Sequence, residues 1–227
     1  MNQDAILIKK SLTTPRAAAI AGILFSILLI ISLTIIQILV PYYPQDVGSW
    51  LSENWKIISL AQNLVPFAGI AFLWFIGVVR DRLGEYEDRL FATVFLGSGL
   101  LFLASLFISS AIAGGILIIY GSAPALLIDS GMYTFGRTVT YEIMNVYTMK
   151  MAGMFMITTC TLSLRTGIIP RWMAYLGLVL ALFLLLSSGY VSWGLLVFPL
   201  WVFMISVYIL VSNLGKPKSE FITATQP

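Results

Sequence analysis

Residues 90–128 carry no formally charged side chain, a run of 39 positions, and residues 17–40 form a second such run of 24. A helix rises about 1.5 Å per residue, so roughly 20 apolar residues already cross a hydrocarbon core of about 30 Å. A chain that lays several such runs end to end has nowhere to put them in water. Only 10% of its 227 residues are charged, against about 25% in soluble domains, and the mean hydropathy is +0.95. The expected fold class is all-α: a polytopic transmembrane helical bundle. A secretory leader does not account for 17–40. That run exceeds an ordinary leader's apolar region, and the small residues Ala17-Ala18-Ala19 precede it instead of following it.

Cysteine and histidine usage removes several chemistries. With Cys160 alone and no histidine, the chain cannot form an internal disulfide, a Cys/His zinc site, a His-ligated haem or a Ser-His-Asp triad. No cofactor is expected. The pI near 9.0 reflects a net charge of only +3, and the basic residues gather at segment ends. That is the signature of membrane orientation rather than of nucleic-acid binding. The lipid bilayer is the expected partner.

The punctuation divides the chain into a tail, 1–16, a six-helix transmembrane domain, 17–214, and a second tail, 215–227. The predicted helices are about 17–40, 57–79, 90–113, 138–161, 172–188 and 191–211. Pro41-Tyr42-Tyr43-Pro44 stops the first, and the charged stretch 80–89 separates the second from the third. Gly114-Gly115, Gly121 and Pro124 predict an outer, partly embedded loop over 114–136, with a re-entrant segment or an extension of the third helix as the alternatives. Ser187-Ser188-Gly189 predicts that the last two helices form an antiparallel hairpin. With both termini cytoplasmic, Lys9, Lys10, Arg16, Arg80, Arg82, Arg89, Arg165, Arg171, Lys216 and Lys218 lie inside and only Lys56 and Arg137 outside. A seventh helix within 90–128 would place Arg165 and Arg171 outside, so the positive-inside rule selects six.

The remaining Lys150 falls near the middle of the fourth segment, where a charge costs about 2.5–3.5 kcal/mol or more on insertion scales. It is expected to face the bundle interior, in the company of Glu142, Asn145 and Tyr141. Glu142 lies eight residues earlier, roughly 12 Å along the helix and turned by about 80°. Thr138, Tyr141, Asn145, Thr148 and Thr159 recur at helical spacing, and polar atoms in hydrocarbon need partners. Gln37, Gln62 and Asn63 are the candidates on other segments. The binding set read from sequence is therefore Lys150, Glu142, Asn145, Tyr141, Thr148, Gln62 and Asn63. A packing network of polar side chains predicts the same stripe. Pro66 frees the Gln62 carbonyl. The five methionines of 144–156 suit Cu(I) in principle, but they point to different sides and read better as adaptable packing. Ala18, Gly22 and Ser26 permit close helix contact, within the chain or between chains.

The stretch Leu164-Arg165-Thr166-Gly167-Ile168-Ile169-Pro170-Arg171-Trp172, with Phe198-Pro199-Leu200-Trp201, Ser206-Val207-Tyr208, Tyr133-Thr134-Phe135-Gly136-Arg137 and the charged turn 77–89, resembles an uncharacterised family of small bacterial polytopic membrane proteins, a domain of unknown function. The resemblance implies a six-helix fold in a bacterial plasma (inner) membrane and no particular activity. Two functions follow as expectations. The first is a structural or accessory membrane component, alone, as a homo-oligomer or beside another membrane subunit. The second is a small-solute or proton-coupled ion carrier using the polar face of the fourth helix. A membrane enzyme is third, since only Asp129 and Arg137 near the outer loop offer clustered polar groups.

Overall fold

The charge-free stretches become long helices. The computed structural model describes residues 3–40, 51–83, 89–167, 169–187 and 192–214, with side chains over 17–40, 51–80, 90–167, 169–187 and 193–212. Among these residues there is no strand. The elements are α1 (Gln3–Leu39), α2 (Leu51–Leu83), α3 (Arg89–Ser122), the short α4 (Pro124–Asp129), α5 (Met132–Glu142), a π-helical segment (Ile143–Thr148), α6 (Met149–Thr166), α7 (Arg171–Ser187), a 3-10 turn (Ser192–Leu196) and α8 (Val197–Leu214).

Helices Ala17–Leu39, Leu51–Arg80, Leu90–Ser122 and Trp193–Ser212 are each long and apolar enough to cross a bilayer, and Arg171–Ser187 is a shorter apolar helix. The chain is thus a multi-pass membrane protein built as an all-α bundle. Large apolar side chains such as Phe67, Trp74, Ile108 and Val179 point outward, as a lipid-facing surface requires.

Several boundaries differ from the sequence expectation: α2 spans Leu51–Leu83 instead of 57–79, and α6 and α8 run on to Thr166 and Leu214 instead of 161 and 211. Residues 3–16, read as a tail, continue α1 as helix, because extending an existing helix is far cheaper than starting one. The predicted loop over 114–136 is largely helical: α3 runs through Gly114-Gly115 to Ser122, and α5 begins at Met132. Each glycine costs about 1 kcal/mol relative to alanine in a helix. In apolar surroundings, however, no water stands ready to take over the freed peptide groups. The true break comes at Gly131, whose φ of 73° turns the chain between α4 and α5, a backbone conformation that suits glycine. The tail 215–227, the stretch 41–50 and the turn centre 84–88 lie outside the described residues.

Successive long helices alternate in direction. A Cβ on Gly153 of α6 would press on the Ala181 carbonyl and Leu185 of α7, while one on Gly177 of α7 would overlap Cys160 of α6. Moving forward along α7 therefore means moving backward along α6. The predicted hairpin of the last two helices is a weaker unit than expected. α7 packs chiefly on α6, and α8 chiefly on α1. The Ala18, Gly22, Ser26 face is buried inside the chain, where a Cβ on Gly22 would overlap Ser206 of α8 and approach Phe75 of α2.

At mid-height an aromatic cluster ties five helices together. Phe72 of α2 stands 4.6 Å from Phe25 (α1), 5.2 Å from Phe102 (α3), 5.3 Å from Phe155 (α6) and 5.6 Å from Phe198 (α8), centroid to centroid. Met149 and Met156 fill space in the same core. A second, smaller apolar cluster (Leu51, Ile58, Leu117, Leu127 and Tyr133) sits where α2, α3, α4 and α5 meet. At the other end of α6 the Arg165 guanidinium lies 4.8 Å from the Phe91 ring of α3.

Candidate functional site

A cavity of about 360 Å³ lies on one side of the aromatic cluster. Its walls are the C-terminal part of α1, the first half of α2, the second half of α3, and α5 running into the π segment. Leu33, Ile36, Val40, Val65, Leu106, Met144 and Leu195 make it largely apolar. Gln37, Gln62, Arg137, Tyr141 and Asn145 also line it, together with Ser109, Ser110 and Thr140; Glu142 lines it too, as an exposed residue. A mostly apolar recess of this size with a few converging polar groups is the ordinary form of a small-molecule site.

Hydrogen bonds between helices hold these groups. Ser110 Oγ donates to Gln62 Oε1 (3.4 Å), joining α3 to α2, and Ser109 Oγ donates to the Thr140 carbonyl (3.2 Å), joining α3 to α5. Asn145 is buried, and its Nδ2 donates to the Tyr141 carbonyl (3.1 Å). Arg137 Nη1 donates to Tyr133 Oη (3.4 Å), and its guanidinium sits 6.0 Å from that ring. The Thr140 hydroxyl is buried without a hydrogen-bond partner.

The π segment under the cavity is the local device that shapes it. Thr148 Oγ1 reaches back five residues to the Ile143 carbonyl (2.8 Å), the reach of a π turn. Such a turn takes in one extra residue and rotates everything after it by about 100°, and π-bulges gather at functional sites. Met144 and Asn145, inside the segment, border the cavity.

The structure corrects the main expectation about Lys150. It does not face the interior. It is exposed on the outer side of the helix, with Tyr147 and Met154, and does not border the cavity. The opposite face of α6 is taken by Met149, Ala152, Phe155 and Met156 in the core. Of the remaining expected site residues, Tyr141, Glu142, Asn145 and Gln62 are brought together, as are Gln37 and Thr138. Asn63 turns outward. Thr148 closes the π turn and Thr159 bonds back to the Phe155 carbonyl (2.7 Å), so neither borders the cavity. Pro66 is exposed, and α2 continues across it. Asp129, at the end of α4, does not border the cavity either.

Ser109, Ser110 and Thr140 line the cavity without belonging to the set expected from sequence, and Arg137, which the sequence pairs only with Asp129, lines it too. For Arg137 a signal existed. The stripe Thr138, Tyr141, Asn145 extends back to Thr134, and Arg137 lies three residues after Thr134 and four before Tyr141, on the same face. Among the described residues no group of three or more His, Cys, Asp or Glu side chains could hold a metal ion. Comparison of the chain with family models, curated proteins and solved structures finds no match.

The outward position of Lys150 makes a direct prediction. Lys150→Met should leave the unfolding midpoint of the purified protein unchanged or raise it, because it removes a charge costing about 2.5–3.5 kcal/mol at mid-membrane depth. Thermal unfolding followed by tryptophan fluorescence checks this. A clear drop in the midpoint would show that the amine makes a stabilising contact.

Proposed function

We propose that this is a small-solute-binding membrane protein of the carrier type, with six membrane-spanning helical rods and both termini in the cytoplasm of a bacterial cell. The six rods are α1, α2, α3, the continuous α5–π–α6 unit, α7, and α8 with its 3-10 turn. The basic residues at the ends of these rods support the orientation, and the resemblance to small bacterial polytopic proteins supports the location in the plasma membrane. In this arrangement the cavity opens to the outside. The aromatic cluster around Phe72 closes the path to the cytoplasm.

The observation that carries the reading is one cavity between four helices whose lining includes Arg137, Glu142, Gln62 and Asn145. Helix packing alone does not need a recess of this volume, because interiors are otherwise close-packed. The alternative is a structural or accessory membrane component, in which the same polar groups act only as glue.

Accessibility separates the two. In a Cys160→Ala background, Ser110→Cys should react with a membrane-impermeant thiol reagent added from the outside and be spared by the same reagent on the cytoplasmic side. Failure to react from either side would make the cavity dry and favour the structural component. Reaction only from the cytoplasm would reverse the orientation.

A further inference from the structure

The two charged side chains on the cavity wall have opposite sign, and their spacing restricts what fits between them. Arg137 and Glu142 are five residues apart on α5, a rise of about 7.5 Å and a turn of about 140°; Arg137 is half-buried and Glu142 exposed. Both border the cavity. Arg137 is oriented by Tyr133. A simple anion attracted to the guanidinium would also meet the Glu142 carboxylate, and a simple cation would meet the guanidinium. Bringing a like charge up to either group is unfavourable, most of all beside the half-buried Arg137. A neutral polar solute such as a sugar would face the apolar side chains of Leu33, Val65 and Leu106 with unpaired hydroxyls.

We propose, resting on the binding reading above, that the cavity takes a zwitterion with an apolar body. Its acidic oxyanion is held by Arg137 and its primary ammonium by Glu142. A guanidinium presents paired N–H donors that match a carboxylate or phosphate. An ammonium needs up to three acceptors, of which the Glu142 carboxylate supplies some; the Thr140 hydroxyl, buried and without a partner, belongs to another residue of the cavity wall. The apolar body lies against the aliphatic wall.

The volume bounds the occupant. At about 30 Å³ per water-sized group, 360 Å³ holds roughly a dozen such groups. That suits an amino acid with a large apolar side chain. It also suits a phosphoethanolamine headgroup whose chains leave sideways between α1 and α5. These helices flank the cavity but pack on other neighbours, and the exposed Ile38 and Phe135 lie on them. Both sources share one chemistry, an ammonium and an oxyanion a few ångströms apart.

The test uses the full chain in nanodiscs of phosphatidylcholine, whose quaternary ammonium cannot donate N–H bonds. Calorimetric titration compares L-leucine, dihexanoyl phosphoethanolamine, dihexanoyl phosphocholine, decanoate and decylamine. At least one of the two primary-ammonium zwitterions should bind 10-fold or more tightly than decanoate and decylamine; which one binds identifies the source. Glu142→Gln should erase the preference for phosphoethanolamine over phosphocholine, or weaken leucine 10-fold. Arg137→Gln should weaken either zwitterion at least as much. Decanoate or decylamine binding as tightly as the zwitterions would overturn the proposal, as would binding unchanged by Glu142→Gln. Should Arg137→Gln fail to fold, the wild-type ligand series and Glu142→Gln decide alone. If no probe binds while the cysteine at position 110 is labelled from outside, the zwitterion proposal falls and the accessible cavity stands. If that cysteine is unreactive, both fall.

Discussion

Gly177→Leu should abolish the folded state, while Gly114→Leu should leave it intact. Both glycines lie inside apolar helices, and sequence alone gives no reason to treat them differently. At Gly177 a single added Cβ would already overlap Cys160 Sγ of α6 and close on the Trp201 indole nitrogen of α8. Cys160 and Trp201 are themselves buried, so neither can move without displacing the core. Overpacking a core costs about 1–3 kcal/mol and occasionally more, and leucine adds three carbons beyond that Cβ. A loss of 3 kcal/mol or more, read as little folded protein after purification, is the expected outcome. Around Gly114 nothing lies within 4 Å of an added Cβ. Leucine there gains up to about 1 kcal/mol in helix propensity. Unfolding midpoints of the two variants that agree within error would show that α7 does not pack as described.

The second large effect is expected at the aromatic cluster. Phe72→Ala should cost about 3 kcal/mol, and Trp74→Ala, two residues away, should cost little. Phe72 is 0% exposed and Trp74 is 67% exposed. In soluble cores Phe→Ala costs about 3–5 kcal/mol. Between membrane helices the transfer part of that cost shrinks, since lipid is as apolar as a core. What remains is the void and the lost ring contacts, which are worth about 0.5–1.5 kcal/mol per aromatic pair. Because Phe72 touches rings on four other helices, its removal loosens the seal beneath the cavity as well as the bundle. Equal denaturation midpoints for the two variants would contradict this account of the core.

Much of the cavity was legible at the level of single residues. The spacing of Tyr141 and Asn145 placed them on one face, and Gln37 and Gln62 were the natural partners because amides in hydrocarbon must be satisfied. The structure brings all four to one recess. Lys150 is expected inside because of what a charge costs at mid-membrane depth, not because of its spacing: five residues past Asn145 it is turned about 140° from the polar stripe, and the structure leaves it exposed. Asn63 was grouped with Gln62 by adjacency, yet neighbours on a helix are about 100° apart, and only Gln62 turns inward. Ser109, Ser110 and Thr140 gave no signal. Small hydroxyls are common on apolar helices, and their importance comes from which helix lies opposite.

By itself the sequence determined the class of the protein. Charge-free runs longer than a bilayer is thick leave their backbone groups no partners except one another, so membrane helices follow from chemistry local to each segment. The charge-poor composition and the lack of histidine are equally local facts. Tertiary structure decided the rest: which face of each helix is buried, that the small-residue face of α1 packs within the chain, that Lys150 points outward, and that four helices leave a cavity between them. Those outcomes depend on the rotation and depth of each helix relative to the others. In a membrane these are set by close packing of small residues and rings, not by the amphipathic pattern that water would impose. Helices that are apolar on nearly every side carry no strong mark of which side faces in.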